Sequence, residues 1–561
     1  MIPIDYGTEN PDADTWADQD GEVHAAGISA EDSDYRQALE KQQDQEAEER
    51  CGQPDDGSGD GEKAKKKSAA TMLVEIAEEL YEFGISPAGD VFALPRTGPR
   101  VVAMLRGGKT SLRALLSREF YKRFRTAASA SALADAMLVL QGLAEEQEEV
   151  ELHQRVAEAA GAFWLDLGDT TGRAVRINGD GWSIENQAPV YFRRTNLNSP
   201  LPTPVPGGDI NNLWSWLNVS PVDRPLVLAW MVAALMPDFP HPALALTGEQ
   251  GTGKTTATKV AVRLVDHSPV PARKPPKDME SWVTAASASW VVGLDNLSGM
   301  PEWLSDSLCR AVTGDGDVRR KLYSDGDTVA FSFRRALVLN GIDFGALRGD
   351  LAERLLSVGL EVIPDTERRE EGEFWPMWDD AHPWLLGALL ELAVKVLAVM
   401  PAITLPGKPR MADFARVLAA VDKAMGTKGF EHYMGLQARL AADGLSGSPL
   451  YVVLSEHITE EFAGTAGDLL TLLENAERAA HDAFWRAPKG WPTSKRQVGG
   501  MLRRLAPQMR KVGWEVKNQE DKHRKTTVWT LIPPQRRTEN TPQTPARPQG
   551  ETFPLATADF A

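Results

Sequence analysis

Gly248-Glu249-Gln250-Gly251-Thr252-Gly253-Lys254-Thr255 sets three glycines, a lysine and a hydroxyl at the spacing of a phosphate-binding loop. The glycines let successive backbone N–H groups turn into one anion cradle, and a helix beginning at the lysine adds positive potential. The flanks fit this. Ala243-Leu244-Ala245-Leu246-Thr247 reads as a short buried strand, and Thr256 to Val265 as a helix. In such a loop Lys254 reaches the β- and γ-phosphates of ATP. The Thr255 hydroxyl binds Mg²⁺, and residues 248–256, from Gly248 to Thr256, hold the nucleotide.

Two further apolar runs end in residues such a site needs. Trp290-Val291-Val292-Gly293-Leu294-Asp295 is a hydrophobic strand closing on a carboxylate, and Asp295 would hold Mg²⁺ through water. Asn296 follows, where a second acid would activate the attacking water. Either another carboxylate (Glu249, Glu302 or Asp306) supplies the base, or hydrolysis is slow. Ala336-Leu337-Val338-Leu339-Asn340 ends in an amide that fits a sensor of the γ-phosphate or its water. Beyond it Arg354, or alternatively Arg348, could reach the γ-phosphate bound by a neighbouring subunit; either could instead pair with Asp350 or Glu353.

The order of these parts resembles the superfamily 3 helicases within the AAA+ class. It looks most like the ATPase part of phage and mobile-element primase-helicase proteins of the poxvirus type. Between Asp295 and Asn340, Thr313-Gly314-Asp315-Gly316-Asp317-Val318-Arg319-Arg320-Lys321-Leu322-Tyr323 precedes a turn and the strand Val329-Ala330-Phe331-Ser332-Phe333. The resemblance implies that this segment holds a hairpin tracking DNA through a ring, with Arg319, Arg320, Lys321 and Tyr323 as contacts. It implies a homo-oligomeric, hexameric ring that hydrolyses ATP between subunits, and a primase supplied separately. It covers about 210–365 well. From about 70 to 530 the chain also resembles ATP-binding proteins of bacterial integrated elements.

The elements that must position these residues divide the chain. Residues 1–68 are rich in Asp, Glu, Gln, Gly and Ser, an acidic tail expected to be disordered. A small α+β domain is expected at 69–200, opened by the amphipathic helix Met72 to Phe83. Pro-rich residues 201–208 read as a linker. The nucleotide core is expected at 209–365 as an α/β parallel sheet, a helical segment at 366–449, a winged-helix-like basic domain at 450–533 and a disordered tail at 534–561. Leu226 to Met236 is too short to span a bilayer. Trp384 to Met400 carries Glu391 and Lys395 four apart, read as a helical ion pair, so no membrane partner is expected. The two cysteines, Cys51 and Cys309, exclude a disulfide framework or a cysteine zinc site and suit a reducing, cytoplasmic compartment. The N-terminus shows no signal-peptide pattern.

The net charge of −18 is not evenly spread. Residues 1–62 hold 19 acidic and 3 basic side chains, whereas 486–537 hold 14 Lys/Arg against 3 Asp/Glu. DNA therefore stays open as a partner despite the acidic isoelectric point. Thr493 or Ser494 can cap a helix to about Lys511, with Arg496, Arg503, Arg504, Arg510 and Lys511 off its apolar stripe. Gly499, Gly500 and Pro507 should weaken or kink it. Strands near 513–517 and 526–531 flank a loop with Lys522, His523, Arg524 and Lys525. Such a winged helix binds DNA through phosphates or docks a protein. The leading reading is a DNA-dependent ATPase of a mobile element, a ring-forming replicative helicase. The rivals are an ATP switch in regulation or defence, favoured by Asn296, and an origin-remodelling DNA-binding ATPase.

Overall fold

The computed structural model describes residues 67–534 apart from 108–109, 298, 315, 321–327, 333, 342–348, 481–484 and 522–525; for 316–320 and 328–332 it describes the backbone. Nearly all of both expected tails lies outside the described residues.

Ser68 caps α1 (Ala69–Leu80), its Oγ accepting from the Thr71 N–H. β1 (Tyr81–Ile85), β2 (Val91–Pro95) and β3 (Ala103–Met104) form an antiparallel sheet. α2 (Leu112–Phe124) and α3 (Ala130–Glu145) complete this unit. Leu73 and Ile76, one helical turn apart, join Leu112, Leu116 and Leu140 in a core of their own.

β4 (Leu152–His153) pairs in parallel with β9 (Tyr191–Phe192). Between them β5 (Val156–Ala159), β6 (Ala162–Asp166), β7 (Ala174–Ile177) and β8 (Trp182–Glu185) form an antiparallel meander. Val156, Leu165, Val175 and Ile177 are buried in the same core as Leu244, Val260 and Val292. The first part of 69–200 thus has a core of its own, its second sheet packs into the next region, and Phe92 and Met104 of the first pack with Leu152 and Tyr191 of the second.

A buried ion pair fixes that junction. Arg155 donates from Nε to Asp266 Oδ1 at 2.7 Å, with side chains 1% and 0% exposed. The other Asp266 oxygen accepts the Trp290 and Val291 N–H groups at 2.9 and 3.0 Å. Removing one partner strands a buried charge, at a cost of about 3–5 kcal/mol. Asp266→Ala should accordingly show a clearly lowered thermal midpoint. An unchanged midpoint would remove this pair from the account of stability.

α4 (Arg224–Ala233) leads into the central sheet. Its strands are β10 (Ala243–Thr247), β11 (Val291–Leu294), β14 (Ala336–Gly341) and β15 (Leu355–Gly359), in spatial order β11-β14-β10-β15 and all parallel. β11, β14 and Ala243–Leu246 are buried throughout, as continuous apolar runs in a two-sided parallel sheet must be. α5 (Lys254–Val265), α6 (Met279–Ser287) and α7 (Glu302–Thr313) lie between strands. A hairpin of β12 (Gly316–Arg320) and β13 (Thr328–Ser332) precedes β14, and the short α8 (Gly349–Ala352) precedes β15.

α9 (Glu371–Val399), α10 (Ala412–Met425) and α11 (Gly429–Ser446) follow. Glu371–Ala402 is long and apolar enough to cross a bilayer. Here Leu385, Leu386, Leu389 and Leu390 are buried in the main core. The Pro-rich stretch is not a free linker, because it is strapped to α9. The Val205 N–H donates to the Pro383 carbonyl at 2.9 Å. The Gly207 N–H donates to Glu391 Oε1 at 2.6 Å, so Glu391 serves this strap. Gly387 lets the Val205 carbonyl lie directly on the helix, where a Cβ would collide with it.

The C-terminal elements are α12 (Pro449–His457), β16 (Phe462–Thr465), α13 (Ala466–Ala480), α14 (Lys495–Lys511), β17 (Glu515–Asp521) and β18 (Thr526–Ile532). Sheet order is β16-β18-β17, antiparallel. The order is helix, strand, two helices and a hairpin. Leu454, Leu469, Leu473, Leu502, Met509 and Trp529 form its separate core. Ser494 caps α14, which runs unbroken through Gly499, Gly500 and Pro507. Tertiary packing overrides their weak propensity, since Val498, Gly499 and Leu502 are all buried.

Candidate functional site

Parallel pairing brings the three key strand ends together. Leu246 of β10 is in register with Asn340 of β14, and Leu294 of β11 with Leu339. The glycine loop, Asp295 and Asn340 therefore emerge side by side at the carboxyl edge, where open α/β sheets bind ligands. Gly251 and Gly253 take φ of 87° and 75°, left-handed conformations that a side chain would strain. Gly253 thereby turns the chain directly into α5, which begins at Lys254.

Lys254 Nζ donates to the Gly248 and Glu249 carbonyls at 2.8 and 2.6 Å, so the ammonium sits inside the loop. Thr252 is buried and donates to the Glu249 carbonyl at 3.0 Å. Glu249 and Gln250 are exposed, and Thr256 lies in the first turn of α5. The Thr255 hydroxyl donates to Asp295 Oδ1 at 2.9 Å. A hydroxyl facing a carboxylate at this range is a donor pair suited to a hard cation such as Mg²⁺.

Asn340 ties this pair to the helix. Its Nδ2 donates to Asp295 Oδ1 and to Thr258 Oγ1, both at 2.7 Å. Its Oδ1 accepts the Asn296 N–H at 2.8 Å. The Asn340 amide thus positions Asp295 and spends its hydrogen bonds inside the protein. Thr258, which returns a bond to the Lys254 carbonyl at 3.0 Å, was not singled out from sequence. The available signal was a hydroxyl one turn after Lys254 on the buried stripe of α5. Asn296 sits at φ 58°, a conformation asparagine tolerates better than glutamate, and its side chain is exposed. Of the alternative carboxylates, Glu249, Glu302 and Asp306 are all exposed.

Arg354 is buried between α8 and β15. Its NH1 meets Asp350 Oδ2 at 2.5 Å and donates to the Asp350 carbonyl at 3.0 Å. Arg410 bridges Asp350 at 2.7 Å and Glu353 at 3.0 Å, and Lys511 of α14 meets Glu353 at 2.7 Å. Burial pushes the neighbouring Cys309 thiol up to about 12. Arg348 lies outside the described residues.

The hairpin exists as a paired backbone, Arg319 opposite Val329 and Arg320 opposite Thr328. Lys321 and Tyr323 lie outside the described residues, as do the side chains of Arg319 and Arg320 and all of Lys522 and Arg524. On α14, Arg510 donates to the Val516 carbonyl at 3.0 and 3.1 Å, and Lys511 is held by Glu353. Arg496, Arg503 and Arg504 are exposed and form no ion pair with the described residues. Elsewhere, Glu456, His457 and Glu477 have metal-ligand spacing; His457 and Glu477 bond each other at 2.7 Å.

Together these features define a mixed α/β protein with a four-stranded parallel core sheet. Residues 210–443 match the family model of the actinomycete integrative conjugative element replication protein, and residues 451–545 match the model of the RepA C-terminal domain of those elements. The chain is a replication protein of a mobile element, of the family of actinomycete integrative conjugative element replication proteins. Among solved structures it is similar to the SCCmec type IV Cch active helicase, at 10% identity and TM-score 0.43, over 81% of this chain and 93% of that one. The apo C-terminal region of NrS-1 is similar at 11% identity and TM-score 0.34, over 83% and 100%. No curated protein matched.

Proposed function

We propose that the chain is a DNA-dependent ATPase, a ring-forming replicative helicase of an integrated element, hydrolysing ATP between subunits to move DNA in the cytoplasm. The observation that carries this is the Lys254, Thr255, Asp295 and Asn340 cluster at three adjacent strand ends. Lys254 would hold the β- and γ-phosphates, and Thr255 and Asp295 the Mg²⁺, which supplies charge neutralisation on the phosphates. Arg354 would act on the γ-phosphate of the neighbouring subunit. The hairpin before β14 would track DNA, with a primase supplied separately. Asn296, in place of a second acid, favours one rival: a slowly hydrolysing switch.

ATP turnover by the full chain, measured with and without single-stranded DNA, tests the reading. Turnover should rise with DNA, and a forked duplex should be separated. Turnover indifferent to DNA, with no strand separation, supports the switch instead. Arg503 and Arg504 supply exposed charge on α14, so changing both to Ala should weaken duplex binding. Each lost phosphate contact should flatten the log-affinity against log-salt slope by roughly 0.9. An unchanged slope would assign α14 to protein docking.

A further inference from the structure

One stretch of chain following β15 covers all three loop glycines. The Leu360 carbonyl lies 3.0 Å from the place a Cβ on Gly248 would take, and Ile363 Cδ1 lies 3.2 Å from that of Gly253. An Arg368 guanidinium nitrogen lies 3.0 Å from that of Gly251. Residues 360–368 are thus built against the phosphate loop, and Arg368 brings a cation to it.

The neighbouring basic groups are otherwise engaged. Lys259 pairs with Glu371 at 3.2 Å, and Arg263 lies over the Trp375 ring at 4.1 Å. Arg369 lies over Trp216 at 5.8 Å. Arg368 is held by Asp365 at 2.9 Å, and their side chains are 53% and 88% exposed. An exposed pair three residues apart is weak and readily exchanged for a better partner. A polyphosphate in the loop is such a partner, because a guanidinium offers two parallel donors to phosphate oxygens.

We propose that Arg368 is a second cation of the nucleotide site, leaving Asp365 to donate to a β- or γ-phosphate oxygen of the nucleotide bound by its own subunit. This rests on the ATP-binding reading above. It gives Gly251 a second reason to be glycine: a side chain there would stand between the guanidinium and the loop. The contact is made within the subunit, so it is separate from any role of Arg354 across a boundary.

Equilibrium binding of Mg-ATP to the full chain tests this. Arg368→Ala should weaken binding roughly ten- to hundred-fold, the worth of a charge-assisted hydrogen bond. Arg368→Lys should recover much of the loss, because the charge remains. Asp365→Asn should bind as well as or better than the native protein, because it releases the arginine. Lys254→Ala is the control for the loop itself. If that control loses binding while Arg368→Ala stays within about two-fold of native, the proposal fails and the loop assignment stands. If Asp365→Asn weakens binding as much as Arg368→Ala, the arginine acts through its ion pair and the proposal also fails. If Lys254→Ala changes nothing, the ATP reading falls with it.

Discussion

Lys254→Ala should abolish productive ATP binding, lowering turnover by roughly 10²–10³-fold or more, the loss seen when one positioned charge-stabilising donor is removed. Lys254 Nζ already sits inside the loop on the Gly248 and Glu249 carbonyls. Nucleotide binding would redirect it to phosphate oxygens with little rearrangement, so its contribution is preorganised. The exposed Glu249 and Gln250 offer no replacement charge. The fold should persist, because the Thr255–Asp295–Asn340 bonds and the buried strands do not depend on the ammonium. Turnover and nucleotide affinity, read beside a melting curve, check this. Native affinity and turnover in the variant would sink the phosphate-loop assignment. A lost melting transition would instead show that the lysine holds the loop together.

The loop was legible in the sequence because its information is local: glycines where the backbone must turn, a lysine at the helix start and an apolar strand before it. The strand ends Asp295 and Asn340 were legible for the same reason. Their mutual bonding was not, because it depends on β14 inserting between β10 and β11, a non-sequential order. Arg368 was invisible because nothing around it forms a pattern; only the path of the chain after β15 brings it to Gly251. Composition told only part of the story at the Pro-rich stretch. Prolines announce an extended path but not what it lies on, and here the small Gly387 admits the strap onto α9. That Val156, Leu165, Val175 and Ile177 pack into the main core was not legible, because it depends on contacts distant in sequence. On α14 the basic residues were read as one group. All five are exposed, and structure distinguishes Arg510 and Lys511 by their bonds to the Val516 carbonyl and to Glu353.

Arg354→Ala should keep nucleotide binding and lose hydrolysis by about 10³-fold, the scale of an arginine acting on a neighbour's γ-phosphate. Arg354 precedes β15, and its carbonyl accepts the Ala243 N–H at 2.8 Å, so it is wired to the base of the loop's own strand. Its guanidinium is held by Asp350, and a role across a boundary requires that pair to open. Opening would not strand the carboxylate, because Arg410 already meets Asp350 at 2.7 Å. Arg410 also meets Glu353, and Glu353 meets Lys511 on α14, so the basic helix is joined through ion pairs to the element that would release Arg354. Subunit mixing separates this role from a structural one. Arg354→Ala subunits supply an intact loop and Lys254→Ala subunits an intact arginine, so a mixture should recover part of the turnover that neither has alone. If Arg354 only stabilises its own chain, Arg354→Ala will melt earlier and mixing will restore nothing. A stable monomer that hydrolyses ATP at the full rate would end the claim outright.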